Sequence, residues 1–258
     1  MRTNRNLLLP ALLTVGLLLT GGSVALAQIP DEFTNLQVFP KDIGKQDLIV
    51  AMRNFSMGLG VRCTHCHVTK TEGDSSTMDW ASDDLAPKKD ARRMMQMVAT
   101  INTQLLPEDT DKDGLRVQCI TCHRGLSNPD TLDKVLLKEY TTGGSDAVIA
   151  GYRNLRDKYY GSGSFDFGPY SVLGIAELVA QRKGDLKGAI AVMQMGVEFY
   201  PKNQDAYIAL GQLQAVSGDR PGAIASVKKA IELDPQNEQA KQILGRLQPP
   251  AGEDTGTE

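Results

Sequence analysis

The sequence has few aromatic residues, few histidines and no surplus of positive charge. Aromatic side chains make up 5% of the 258 residues, tryptophan occurs once and histidine three times. An N-terminal core built from these residues is therefore short of bulky filling groups. The formal net charge is −3, which gives no support to nucleic-acid binding, since that function needs a basic surface. Downstream of Ala27 no apolar run is long enough to span a bilayer, which excludes a polytopic membrane protein.

The overall composition is that of an ordinary globular protein. Apolar residues account for 41% and charged residues for 23%, a balance that excludes collagenous, low-complexity and wholly disordered chains. The length corresponds to one large domain or two small ones.

The first 27 residues are typical of a signal peptide. Arg2 and Arg5 precede an apolar run over residues 7–19, and small residues at 25–27 precede Gln28. This order predicts export with cleavage before Gln28, and hence a periplasmic protein. The alternative is an uncleaved anchor that attaches the protein to the outer face of the cytoplasmic membrane.

All four cysteines occur in two pairs, and each pair is followed at once by a histidine. The two segments are Cys63-Thr64-His65-Cys66-His67 and Cys119-Ile120-Thr121-Cys122-His123. This C-x-x-C-H pattern is typical of covalent c-type haem attachment, in which both thiols bond the haem and the adjacent imidazole ligates the iron. The sequence therefore predicts two c-type haems with His67 and His123 as proximal ligands.

Two other uses of the cysteines fit the spacing less well. A zinc ribbon places its two pairs about 15–20 residues apart, whereas here the pairs lie at 63–66 and 119–122. A redox-active disulfide needs one such pair in a thioredoxin-like βαβ unit, and the surrounding pattern is helical.

The shortage of histidine restricts the ligand on the other side of each iron. Only His65 is left, and it lies inside the first attachment loop, where we expect it to face solvent. Methionine is the remaining soft ligand, and Met/His ligation raises the potential of electron-carrying haems.

Two predicted helices supply the methionines. Residues 45–59 place Met52 on one apolar face, ahead of a turn at two glycines that lets the attachment loop fold back beneath it. A second helix over residues 87–106 places Met94 and Met97 on a shared face, so the pattern leaves both as candidates for the second iron.

The chain from about residue 35 to 130 resembles the multihaem cytochrome c subunit of bacterial photosynthetic reaction centres. The resemblance rests on Met52-Arg53-Asn54-Phe55, on Leu59-Gly60-Val61-Arg62 leading into the first motif, on Ala91-Arg92-Arg93-Met94-Met95-Gln96-Met97, on Ile101-Asn102-Thr103, and on the second motif with Arg124-Gly125. It implies that a methionine on the helix before each motif is the distal ligand, which assigns Met52 to the first haem and Met97 to the second. Members that serve reaction centres typically hold four haems, whereas this chain has two motifs.

The second half of the sequence shows a helical repeat. Gly184-Asp185 recurs as Gly218-Asp219, a spacing of 34 residues that equals the tetratricopeptide length. We expect repeats over residues 145–248 that bind a protein partner and provide no iron ligand, a connection over 127–144, and a disordered tail over 249–258.

The sequence thus predicts an all-α protein with a dihaem cytochrome domain at 28–130 and a short tetratricopeptide array. We expect an electron carrier, not an enzyme, that serves a redox protein or a membrane electron-transfer complex such as a photosynthetic reaction centre. A respiratory carrier would have the same sequence features. A dihaem peroxidase would need one iron with an open sixth position, and a non-redox scaffold would need the cysteines to hold zinc.

Overall fold

A computed structural model describes residues 29–72, 74–106 and 116–248. The predicted signal peptide and the predicted disordered tail lie outside these residues. Within them the protein is built from helices, and its strands are the two-residue pair Val68–Thr69 (β1) and Met78–Asp79 (β2), which pair antiparallel. The prediction of an all-α fold is confirmed. No helix of the described part is long and apolar enough to cross a membrane.

Three helices contain or flank the two attachment motifs. They are α1 (Lys45–Leu59), α2 (Ala86–Thr100) and α3 (Cys119–His123), and α2 continues into a π-helical turn over Ile101–Leu105. The first predicted helix has the expected bounds, and the second differs only in its last turn. Pro87 lies in the first turn of α2, where its missing N–H costs no helical hydrogen bond.

Six further helices form the second half. They are α4 (Leu132–Tyr159), α5 (Pro169–Lys183), α6 (Leu186–Phe199), α7 (Gln204–Val216), α8 (Arg220–Leu233) and α9 (Glu238–Leu247). The helix α4 is interrupted at Gly143 and Gly144, whose backbone angles are not helical. The predicted connection over 127–144 is therefore largely helical, and Leu136 from it is fully buried in the core of the second half.

The 34-residue repeat is visible in the helix caps. The side chains of Asp185 and Asp219 accept hydrogen bonds from backbone N–H groups at the starts of α6 and α8, and Asn203 and Asn237 do the same for α7 and α9. Such caps satisfy N–H groups that have no partner within the helix. Equivalent helices therefore begin at equivalent repeat positions.

The buried apolar side chains lie mostly in the second half. Before residue 131, the buried hydrophobic side chains of the described part are Leu36, Leu48 and Leu126, whereas the helices from α4 onward enclose a continuous core around Tyr152 and Ile175. The N-terminal half therefore has almost no apolar core of its own.

Candidate haem-binding site

A large cavity occupies the place where a core would be expected in the N-terminal half. Its volume is about 1090 Å³, and its wall includes Cys63, Cys66, His67, Cys119 and His123. This volume slightly exceeds the roughly 300–1,000 Å³ that ligand sites usually enclose. Residues from both C-x-x-C-H motifs thus border one cavity.

The first motif reaches the cavity through a tight reversal after α1. Gly60 ends the helix in the left-handed conformation (φ +65°), and its N–H donates to the carbonyl of Met57. The chain then forms a 3₁₀ turn over Cys63–His65, closed by a 3.0 Å hydrogen bond from the His67 N–H to the Cys63 carbonyl. This reversal returns the motif toward the face of α1 that carries Met52, as the glycines predict.

The imidazole of His67 is held in a partly buried position against Trp80. The two ring centroids are 5.1 Å apart with an interplanar angle of 64°, and Nδ1 of His67 is buried without a hydrogen-bond partner among the described residues. Burial lowers the pKa of the His67 imidazole, and the nearby Lys88 ammonium lowers it further. The Trp80 backbone raises this pKa by a smaller amount. The net effect favours the neutral imidazole, which is the form that ligates a metal.

Lys88 fixes the segment that carries Trp80. Its ammonium donates to the carbonyls of residues 80, 81 and 82 at 2.9, 3.1 and 2.6 Å, and lies 3.3 Å from an oxygen of Asp83. Arg92 donates to the other oxygen of Asp83 at 2.8 Å, and this hydrogen bond holds the pKa of Asp83 far below its usual range. Sequence reasoning missed Lys88 and Asp83, because no local pattern shows that a lysine on α2 faces the loop before it.

The second motif is held in place by the π-helical turn that continues α2. The side chain of Asn102 donates to the carbonyl of Val117 at 2.9 Å and accepts from its N–H at 2.8 Å. Gln118 and Thr121 then cap α3 reciprocally. The backbone two residues before Cys119 is therefore tied to the turn that follows the helix of Met94 and Met97.

His123 has the outer hydrogen bond expected of a metal ligand. Its Nδ1 lies 2.8 Å from the carbonyl oxygen of Leu126. Since a carbonyl oxygen only accepts, Nδ1 carries the proton and Nε2 keeps its lone pair for a ligand. This contact sets both the tautomer and the orientation of the ring.

The two motifs are joined through glycines at the end of α1. A Cβ added to Gly58 would lie 3.1 Å from the Ile120 nitrogen, and one added to Gly60 would overlap the Gly125 carbonyl oxygen. Gly125 in turn donates its N–H to the Gly58 carbonyl at 2.9 Å. The backbone after the second motif therefore packs directly against the helix that precedes the first.

The candidate distal methionines are placed differently. Met52 is half-buried and lines the cavity, together with Met94 and Met95. Met97 is 46% exposed and is not part of the cavity wall, and neither is Cys122. His65 is exposed at the rim, as expected for a loop residue. The structure thus places Met52 and both motif histidines along the wall of one cavity, and the assignments of Met52 and Met97 as iron ligands both stay predictions.

The residues present fit covalently bound haem. The cavity is large and mostly apolar, all four cysteines are free thiols, and the pKa values of Cys66 and Cys119 are raised by burial. The imidazoles of both motif histidines border the cavity. Among the described residues, no group of three or more His, Cys, Asp or Glu side chains converges as a zinc site would require.

Comparison with known proteins agrees with this site. Residues 72–173 match the family described as photosynthetic reaction centre cytochrome C subunit. The match contains the second attachment motif, begins after the first, and continues into α5. The matched residues therefore differ from the span of about 35–130 that carries the resemblance in the sequence.

The curated proteins include a related cytochrome. Cytochrome c-554 of Chloroflexus aurantiacus is 29% identical over 102 residues, which cover 36% of this chain and 23% of that protein. The matched part therefore spans about a quarter of the relative.

Among solved structures, the chain is similar to the Arabidopsis OM64 TPR domain and to the first TPR domain of the human RPAP3 protein. Both are 19% identical to this chain with a TM-score of 0.31, and each match covers 45% of this chain. The matches cover 91% of the OM64 domain and 86% of the RPAP3 domain.

Together with the family match, the cytochrome relative supports the relationship to reaction-centre cytochrome c subunits that the two motifs and their helices predict.

Proposed function

We propose that this protein is an exported dihaem c-type cytochrome that carries single electrons. The observation that supports this most strongly is the contrast between the two halves. The N-terminal half buries three hydrophobic side chains in its described part, yet encloses a cavity of about 1090 Å³ bordered by both C-x-x-C-H motifs. A large apolar cofactor would supply the missing core, as the scarcity of aromatic residues predicts.

Four cysteines, two histidines and two methionines would hold the haems. Cys63, Cys66 and His67 would bind the first haem together with Met52, and Cys119, Cys122 and His123 the second together with Met97. A bound haem iron exchanges one electron between its ferrous and ferric states, and a methionine ligand favours the ferrous state. The protein side chains supply ligation, a dry environment and fixed orientation.

The repeats would supply the docking surface. In this proposal residues 28–130 hold the haems, and residues 145–248 bind the redox partner, since helical repeats recognise proteins through extended surfaces. The family match favours a membrane electron-transfer complex such as a photosynthetic reaction centre as that partner. A respiratory complex on the outer face of the cytoplasmic membrane is the alternative.

Counting haems in the native protein tests the proposal. The pyridine haemochrome spectrum should give two covalent haems per chain, and variants with alanine at Cys63 and Cys66, or at Cys119 and Cys122, should each retain one. Low-spin spectra for both haems are expected. A wild-type chain without haem would contradict the assignment. Paired variants that both keep two haems would contradict it as well.

The exposure of Met97 favours one competing function. If neither Met97 nor Met94 ligates the second iron, its sixth position is open, as a dihaem peroxidase requires. A high-spin fraction together with turnover of hydrogen peroxide would support the enzyme. Low-spin spectra with no peroxide turnover would support the carrier.

A further inference from the structure

A buried serine of the second half contacts the backbone of the second haem motif. Ser164 lies between α4 and α5 and is 1% exposed. Its hydroxyl donates to the Arg124 carbonyl at 2.6 Å, and the Ser162 hydroxyl lies 2.9 Å from it. The two halves of the chain therefore meet one residue after His123.

Arg124 has a backbone conformation that needs support. Its φ is +49°, and it is the only non-glycine residue of the described part with a positive φ. Left-handed backbone is unfavourable for residues with a Cβ, so such conformations persist where surrounding contacts hold them. The hydrogen bond from Ser164 is one such contact.

The same segment is held on its other side by α1. The N–H of Gly125 donates to the Gly58 carbonyl at 2.9 Å, while Leu126 is buried and donates its N–H to the His123 carbonyl at 2.8 Å. The carbonyl of Leu126 is also the acceptor for Nδ1 of His123. The position of that acceptor is therefore determined by contacts on both sides of the segment 124–126.

We propose that Ser164 is a positioning residue for His123, through which the repeat half adjusts the haem attached at Cys119 and Cys122. Ser164 does not contact the imidazole. It holds the Arg124 carbonyl, and with it the backbone that presents the Leu126 carbonyl to Nδ1. This inference rests on the proposed function, because it needs a haem bound at the second motif.

The direction of the effect follows from the hydrogen bond at Nδ1. An imidazole that donates a strong Nδ1–H hydrogen bond is a more basic ligand. A more basic ligand stabilises ferric iron, so the hydrogen bond lowers the haem potential. Releasing the segment 124–126 should weaken that bond and raise the potential of the second haem alone.

The test is a redox titration of holoprotein variants. Ser164→Ala should shift one of the two haem potentials upward and leave the other unchanged. Proton NMR of the oxidised protein identifies the shifted haem through contacts between its substituents and the β protons of Cys119 and Cys122. Ser164→Thr, which keeps the hydroxyl, should retain the wild-type potential. Ser171→Ala is the matched control, because that hydroxyl bonds Asp166 within the repeat half.

The outcomes separate this inference from the proposed function. Two haems per chain with an upward shift confined to the second haem of Ser164→Ala support the inference. Two haems with no shift, equal shifts of both haems, or equal shifts in the alanine and threonine variants overturn it and leave the proposed function intact. If the wild-type protein carries no haem at the second motif, the proposed function itself fails. If Ser164→Ala cannot be purified, Ser162→Ala should show a smaller shift of the same sign, and no shift would overturn the inference.

Discussion

Replacing Gly60 with alanine tests the contact that joins the two haem motifs. Gly60 ends α1 at φ +65°, and an added Cβ would overlap the carbonyl oxygen of Gly125 and lie 2.8 Å from its carbonyl carbon. Both are backbone atoms next to the second attachment motif, so no side-chain rotation can make room. Either the turn after α1 or the segment around Gly125 must move.

Two costs contribute to the expected destabilisation. A left-handed backbone costs a residue with a Cβ about 1–2 kcal/mol relative to glycine, and forcing extra volume into a packed contact costs about 1–3 kcal/mol. Their sum predicts that Gly60→Ala lowers the free energy of unfolding of the haem half by about 2–5 kcal/mol.

Gly184 provides a matched control. It also ends a helix, its φ is +66°, and a Cβ added there meets nothing within 4 Å. Gly184→Ala should therefore show only the backbone cost of about 1–2 kcal/mol. Gly125→Ala is a second control in the same half, since its φ is +82° and the added Cβ lies at an ordinary 3.6 Å from Ser164 Oγ.

The assay is guanidinium unfolding of the holoprotein, followed by the haem Soret band for the N-terminal half and by far-UV circular dichroism for the repeats. Gly60→Ala should lower the midpoint of the Soret transition more than either control. If Gly60→Ala costs no more than Gly184→Ala, the close packing of Gly60 on Gly125 contributes nothing to stability and the reasoning is wrong.

Three further predictions concern other parts of the chain. Replacing Met52 or Met97 with alanine should abolish the thioether-to-iron absorption band of that haem and lower its potential, since a ligand that favours ferrous iron is lost; unchanged spectra and potentials in a redox titration would contradict the assignment. Because the folded state lowers the pKa of Asp83, its carboxylate stabilises the fold above the unfolded-state value of about 3.9, and this contribution is lost as the pH falls toward the folded-state value. Asp83→Asn should therefore be less stable than wild type in urea at pH 6, with a difference that shrinks below about pH 4; a constant difference would point to packing instead. In the repeats, a Cβ on Gly211 would lie 2.7 Å from a valine methyl of α8. Gly211→Ala should therefore lower the free energy of unfolding by about 1–3 kcal/mol, measured by thermal unfolding. A Cβ on Gly245 meets open space, so Gly245→Ala should stabilise α9 by up to about 1 kcal/mol.

The local features of this protein were predictable from sequence. The bounds of α1, the reversal after it and the 34-residue repeat each depend on residues close together in the chain. Gly60 supplies the left-handed residue that ends α1, and the aspartate and asparagine caps bond N–H groups three residues away. The pattern of two cysteines and a histidine likewise carries its chemistry within five residues.

The sequence does not predict the π-helical turn after α2, nor the long-range contact that this turn makes. Residues 101–105 have an apolar spacing compatible with an ordinary α-helix, so periodicity predicts a continuous helix to residue 106. In the structure the side chain of Asn102 pairs with the backbone of Val117. A contact between residues so distant along the chain leaves no periodic signal, and its partner cannot be identified without the fold.

The sequence by itself therefore determined the all-α class, the two attachment motifs and the repeat, because helix periodicity, capping and the C-x-x-C-H pattern act over short stretches of chain. Only the tertiary structure decided which residues support the imidazoles. Lys88 holds the loop that places Trp80 on His67, and Ser164 reaches across the boundary between the halves to the backbone beside His123. Hydrogen bonds to main-chain carbonyls carry little sequence signal, since every residue offers a carbonyl. Which carbonyl a distant side chain meets is determined by packing.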